Sequence, residues 1–277
     1  MRTFKTNKTK FMRSTALVFM LMMLLSRSAF AAGKGPAGIL LSWTDSPATS
    51  ITASWRDDER SDAVMQVVTE AQYGKTGFSG AEEFAATGKD VSFDGSGAWS
   101  YEATARDLSP AKSYVYRVGG AGGWSDARSF TTANPAAKTL TFAYMGDVQP
   151  MNDSKAEFAL WGQLAERMVQ RNPELAFTVL GGDIVNSGIS LEQFDLFRKN
   201  AETVSASVPF FSTVGNHESN FIGGKPELFL DLFAFPQNGP KGFAEEFYSF
   251  DVANCHILVL NSWIFSGEQN LTEADYA

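Results

Sequence analysis

The sequence predicts an export signal followed by two layered domains, first an all-β sandwich and then an α/β sandwich. Three observations carry this. Residues 1–31 have a basic head, an apolar core and a small-residue exit. Residues 39–132 hold short alternating apolar runs broken by Gly, Asp, Ser and Pro, the pattern of a β-sandwich. From residue 139 onward, short apolar runs alternate with longer stretches of helical period, the pattern of helices covering a largely buried sheet.

The head of the signal carries Arg2, Lys5, Lys8, Lys10 and Arg13 without an acid. Residues 14–25 are almost wholly apolar, and Ala29-Phe30-Ala31 supplies a small-x-small exit. About a dozen apolar residues are too few to span roughly 30 Å of hydrocarbon as a helix. The segment is therefore expected to be removed after Ala31, leaving an exported chain, periplasmic or extracellular, with no membrane span. It takes with it six of the 23 Lys and Arg and none of the 31 Asp and Glu, so the remainder carries −14 (17 against 31). Such a chain is not expected to bind a nucleic-acid backbone. With 44% hydrophobic and 19% charged residues, it is expected to pack rather than stay disordered. The single cysteine, Cys255, can form no internal disulfide and lies too far from the signal to be a lipid anchor. Its place in the run Cys255-His256-Ile257-Leu258-Val259-Leu260 predicts a buried, inert thiol and a structural His256.

Residues 32–38 read as a linker. Strands are expected at 39–43, 50–55, 63–69, 99–104 and 114–118. The run Leu108-Ser109-Pro110 followed by Tyr114-Val115-Tyr116-Arg117-Val118, closed by Trp124-Ser125 and Ser129-Phe130-Thr131-Thr132, resembles a fibronectin type III domain over 39–132. The tyrosines should pack one strand face and send their hydroxyls to backbone groups. Trp55, Tyr114, Tyr116 and Trp124 are read as core or edge residues, not ligand contacts. Residues 133–138, with Pro135, mark the boundary to a second domain over 139–277.

In that domain, strands are predicted at 139–145, 175–180, 208–214, 247–252 and 256–260, the last two joined by a turn at Ala253-Asn254. A helix over 154–171 places Phe158, Trp161, Leu164, Ala165 and Met168 at helical spacing and stops at Asn172-Pro173. A second starts at Ser190 as cap, with Gln193 three residues on as a capping box, and buries Leu191, Phe194, Phe197 and Ala201.

The chemistry sits where strands end. Tyr144-Met145-Gly146-Asp147, Val179-Leu180-Gly181-Gly182-Asp183 and Val214-Gly215-Asn216-His217-Glu218 each run from an apolar strand through glycine into a polar tip. Neighbouring tips lie about 4.8 Å apart, so two carboxylates, an amide and an imidazole there outline a hard-metal site. One Gly-Asp after a strand is an ordinary turn; three ordered tips are not.

These tips resemble the calcineurin-like metallophosphoesterases, and with the domain in front the chain looks like an exported bacterial member of the purple-acid-phosphatase type. The resemblance implies an αββα sandwich and two divalent or trivalent metals, Fe, Zn or Mn. It implies Asp147 on the first metal, Asp183 bridging, Asn216 on the second, and His217 beside the leaving group. It further implies metal-bound hydroxide attacking a small phosphate ester, a monoester before a phosphodiester or nucleotide. Gln149 stands where the superfamily often has histidine; it is read as a weak or outer ligand, as is Glu218. Asn186 stands where purple enzymes carry tyrosine, so no ferric-tyrosinate colour is expected. His256 is the last histidine and occupies a different family position. Residues 271–277, where a helix should begin, precede the family's later His motifs. The chain is thus expected to be the front part of a phosphoesterase, incomplete at its C-terminus, with an exposed sheet edge, marginal stability and little activity. Two other readings stand beside this one: an exported adhesion module with a degenerate phosphoesterase domain, and an unrelated two-metal carboxylate hydrolase.

Overall fold

The computed structural model describes residues 35–91, 98–152, 154–219 and 224–265. The expected signal over 1–31, the start of the 32–38 linker and the expected helix start at 271–277 lie outside them. Among the described residues no helix is long and apolar enough to cross a membrane.

The first half is antiparallel. Strands β1 (Ala37–Ser42), β2 (Ile51–Asp57) and β3 (Val64–Thr69) lead into a short helix α1 (Glu70–Thr76), which the sequence pattern had not shown. It is capped by Thr69, whose hydroxyl accepts the Gln72 N–H at 3.2 Å. Then come β4 (Glu82–Ala85), β5 (Thr87–Asp90), β6 (Trp99–Ala105), β7 (Ser113–Gly120), β8 (Gly123–Trp124) and β9 (Arg128–Thr131). They form one sheet in the order β1-β2-β6-β5 and a second in the order β4-β3-β7-β8, with β9 also on β7. Strands β1 and β2 are buried almost throughout, and Trp55 on β2 stacks on its cross-strand neighbour Tyr101 on β6 at 5.6 Å. The strands missed from sequence are short or exposed: β5 is Thr-Gly-Lys-Asp, with no apolar period to read.

The tyrosines behave as expected. Tyr114 accepts the Ser109 N–H at 2.8 Å and so pins the Leu-Ser-Pro corner. Tyr116 reaches further, donating to the Ala206 carbonyl at 2.7 Å across the 133–138 boundary. The Arg117 guanidinium lies over the rings of both Trp124, at 4.1 Å, and Phe78, at 4.4 Å.

The second half begins with β10 (Thr141–Met145), α2 (Ser154–Arg171), β11 (Leu175–Leu180), α3 (Leu191–Ser205) and β12 (Phe210–Ser212). The strands pair in parallel in the order β10-β11-β12. After α4 (Glu227–Leu232), the hairpin β13 (Tyr248–Val252) and β14 (Cys255–Val259) turns at Ala253, which has φ 53°. The helices cover one face of the parallel sheet. Trp161 stacks on Phe197 at 6.0 Å, and Phe197 meets Phe210 at 5.7 Å. Helices α2 and α3 approach closely at Gly162, where a Cβ would stand 2.7 Å from the Asn200 carbonyl oxygen. The buried stripe of α2 is therefore Phe158, Trp161, Gly162 and Ala165, while Leu164 is exposed. The hairpin packs on the other face, with Phe250 stacked on Phe211 at 4.2 Å. The described layers are helix, sheet, sheet.

Cys255 departs from expectation. It is partly exposed, and its Sγ approaches Asn254 Oδ1 at 3.7 Å. Register puts Cys255 on the inward face with Ile257 and Val259, but as the first residue after the turn it is only half covered. Asp251, His256 and Leu258 share the outward face of the hairpin, and His256 Nδ1 pairs with Asp251 at 2.7 Å in solvent. Phe142 and Tyr144 on β10, an outer strand among the described residues, are also exposed, as are Leu258 and Leu260.

Residues on the two sides of 133–138 share one core. Trp43, just past β1, lies within 5.7 Å of the rings of Phe177, Phe211 and Phe250, between the two sheets of the second half. Arg198 on α3 is fully buried and donates to the carbonyls of Gly38 (3.0 Å) and Leu232 and to the Ser54 hydroxyl (3.4 Å). Glu202, one turn on, accepts the Gly38 N–H at 2.8 Å and Arg128 at 3.1 Å.

A second junction is acidic. Glu245, at φ 66°, accepts the Phe235 N–H at 2.9 Å. Burial pushes its carboxyl up to about 7, and Glu102 and Asp231 add to the shift while Lys89, paired with Asp231, opposes it. A raised carboxyl contributes stability that is complete below its ordinary value and is lost as the pH climbs through about 7. At about 1.4 kcal/mol per unit, this is worth ~3 kcal/mol. Urea unfolding at pH 5 and pH 8 should show that loss in the native protein and a flatter profile in Glu245→Gln. Equal slopes would remove Glu245 as its source.

Candidate metal centre

The three tips come together because β10, β11 and β12 are parallel and in register, with Met145 opposite Leu180 and Leu180 opposite Ser212. All three chains therefore leave the sheet on one side, the side where open α/β sheets place ligands. The exits are stitched to each other. The Gly181 N–H donates to the Met145 carbonyl at 2.7 Å, and the Gln149 N–H to the Asp183 carbonyl at 3.0 Å. Residue 147 is thus held between two bonds to the second tip.

Asp147 and Asp183 both have left-handed backbones, φ 53° and 51°. Asp tolerates this region better than most residues, yet two such residues on adjacent tips store strain of about 1 kcal/mol or more each. The glycines are required by close approach. A Cβ on Gly182 would stand 2.7 Å from the Gly215 nitrogen, and one on Gly215 would stand 2.1 Å from Asp183 Oδ1.

Glu218 closes the cradle from beneath. It is 1% exposed, and its two oxygens accept four backbone N–H groups. Oε2 takes Asp183 (2.9 Å) and Gly215 (2.8 Å); Oε1 takes Ile184 (2.9 Å) and Val185 (3.2 Å). Burial holds its carboxyl above the usual range; the amides of Gly215, Val185 and Asp183 oppose the rise only in part, and the Asp183 charge adds to it. With both oxygens so occupied, it ties the second tip to the third.

His217 lies above. Its N–H donates to Asp183 Oδ1 at 3.1 Å, and its Nδ1 meets the Asn186 carbonyl at 2.9 Å. Asn186 is exposed, and it is its backbone carbonyl that meets this ring. Asn216 sits half-buried between Gly215 and His217. Asp147 is exposed at the first tip.

Do these residues suit a metal? Among the described residues, no three His, Cys, Asp or Glu side chains form a metal cluster. The set at the tips is two carboxylates with amides, an oxygen-rich donor set suited to hard or borderline cations. One observation points to a missing partner. Gln149 Oε1 is shielded from solvent and has no hydrogen-bond partner, which is costly for an amide oxygen unless something electropositive meets it. The residues fit a cation.

Gln193 has a role beside the second tip that its sequence position does not announce. It was expected to complete a capping box with Ser190. Ser190 does cap α3, its hydroxyl accepting the Gln193 N–H at 3.3 Å. The Ser190 N–H is already taken by the Ser187 carbonyl at 3.0 Å, however, so the glutamine side chain turns instead to the N–H groups of Asn186 (2.8 Å) and Ser187 (3.2 Å). Its spacing from the second tip was the signal available.

Comparison with known proteins agrees with this architecture. Residues 36–132 match the purple acid phosphatase N-terminal domain, and residues 140–273 match the calcineurin-like phosphoesterase family. Both matches fall in one class of protein, that of the metallophosphoesterases. The chain belongs to the calcineurin-like metallophosphoesterases of the purple-acid-phosphatase type. It is 27% identical over 238 residues to mouse (Mus musculus) acid phosphatase type 7, covering 83% of this chain and 49% of that protein. Over 160 residues it is 26% identical to purple acid phosphatase 21 of Arabidopsis thaliana, covering 56% of this chain and 34% of that protein. In three dimensions it resembles purple acid phosphatase PPD1 from yellow lupin (Lupinus luteus) seeds, with TM-score 0.67 and 15% identity, over 85% of this chain and 47% of that one. The structure of PhoD is also similar, with TM-score 0.57 and 14% identity over 84% of this chain and 53% of that one. The chain thus spans about a third to a half of the length of these named relatives.

Proposed function

We propose that this protein hydrolyses small phosphate esters, monoesters first, at the three strand tips, and that it does so after export. The observation that carries this reading is the pair of aspartates, Asp147 and Asp183, held in strained left-handed backbone on neighbouring tips. Strain kept at two adjacent carboxylates suits a site more than a turn.

Asp147 would hold a first cation, Asp183 would bridge to a second, and Asn216 would serve the second; iron, zinc and manganese all suit such donors. The buried oxygen of Gln149 supports it as a further donor to the first. When bound, the cations would acidify water and offset negative charge on the phosphoryl oxygens. The chain's own residues do the rest. Glu218 keeps the second and third tips at fixed spacing through its four amide bonds. His217 is held over Asp183 by its N–H and by the Asn186 carbonyl, and it exchanges a proton with the leaving oxygen.

The adhesion reading has less support, because Trp43, Arg56, Tyr116 and Arg128 of the first half are engaged with the second. The test is hydrolysis of an aryl phosphate monoester and the matching diester by metal-loaded protein. Turnover, however slow, should favour the monoester, vanish with chelator and fall at least ~100-fold in Asp183→Asn, as expected for loss of a group acting on the transition state. Turnover indifferent to both would contradict the proposal.

A further inference from the structure

We infer that Gln193 is a positioning residue for His217, acting through the turn at residues 186–188. The inference rests on the reading of His217 as the proton-exchanging group.

The chain of contacts is short. Gln193 Oε1 accepts two successive amides, Asn186 N–H at 2.8 Å and Ser187 N–H at 3.2 Å. One oxygen thereby fixes the plane of the 186 peptide region. The carbonyl of Asn186 then meets His217 Nδ1 at 2.9 Å. A carbonyl can only accept, so Nδ1 carries the hydrogen, and Nε2 is the nitrogen that exchanges a proton. The same turn grips the backbone of His217, because the Gly188 N–H donates to the His217 carbonyl at 2.9 Å. The turn packs directly on the third tip, so closely that only glycine fits: a Cβ on Gly188 would stand 2.0 Å from the Glu218 carbonyl oxygen.

Gln193 is itself rigid. It lies in the first turn of α3, its N–H bonded to the Ser190 hydroxyl and carbonyl, and that helix is anchored by buried Leu191, Phe194 and Phe197. Its side chain is free of the reciprocal cap because Ser187 already satisfies the Ser190 N–H. A helix start beside the second tip is thus connected to the ring orientation at the third. Second-layer partners of histidine fix tautomer and orientation in just this way.

The experiment reads the tautomer, not turnover. The chain has only two histidines, so ring-nitrogen NMR on histidine-labelled protein gives two ring systems, assigned with His256→Asn. Where the ring-nitrogen shifts report a neutral imidazole, native His217 should show hydrogen on Nδ1. In Gln193→Ala, and in Gln193→Met, which fills the volume without an acceptor, it should shift toward the Nε2–H form. Gln193→Glu, which restores an oxygen, should recover Nδ1–H. Retention of pure Nδ1–H in the folded Ala or Met variant would overturn the inference, as would Nε2–H in the native protein. Failure of the catalytic reading looks different: hydrolysis would survive His217→Asn while the tautomer still followed Gln193.

Discussion

Glu218→Gln is expected to lower the unfolding free energy by about 3 kcal/mol or more, the cost of breaking a buried, hydrogen-bonded charge. The native carboxylate offers two oxygens to four N–H groups. Glutamine keeps one oxygen and turns an NH2 toward two of those donors. At 1% exposure, no water can step in. The effect should reach the tips, because Asp183 and Gly215 share Oε2. Metal affinity should therefore drop by about 10- to 100-fold, the usual consequence of losing a partner that orients a ligand. Urea unfolding and metal titration of the variant check both. A loss below about 1 kcal/mol would mean that the amides find other partners.

The second large effect is at Arg198. Arg198→Leu should cost about 3 kcal/mol or more, since it strands the carbonyls of Gly38 and Leu232 in a site closed to solvent. It also removes the cation from the face of Phe233, 5.4 Å from the guanidinium carbon. Burial pulls the guanidinium down to about 9, still above neutral pH, so a charged group is what the mutation deletes. Because Gly38 and Ser54 belong to the sandwich and Arg198 and Leu232 to the second half, both halves should lose stability together, in one transition. Two separate transitions, only one of them moved, would show that the halves fold independently.

Periodicity revealed much of this fold. Helix α2 and strand β11 end where their apolar spacing ends, and α3 starts at its serine cap. The tips were legible because glycine followed by a polar residue after an apolar run is a local signal. What was not legible depends on distance in space. Arg198 lies on the same stripe as Phe194, Phe197 and Ala201, and nothing in spacing says that a charged residue there is fully buried. Gln193 obeys the rule for a capping box and breaks it only because a third residue, Ser187, reaches Ser190 first. Cys255 sits in an apolar run and faces inward, but it begins β14 beside the turn, where the cover is incomplete. Asp147 and Asp183 were readable as carboxylates at strand ends; their left-handed backbones were not.

Cation binding at the strand tips is the property on which the proposed chemistry of this protein depends. The direct measurement is calorimetric titration of chelator-stripped protein with Mn²⁺ and with Zn²⁺, beside Asp147→Ala and Asp183→Asn. Saturable binding in the native protein, weakened at least ~100-fold in each variant, is the predicted result, since each substitution deletes a charged ligand rather than a neighbour of one. Equal binding in all three proteins, or none in the native protein, would contradict it.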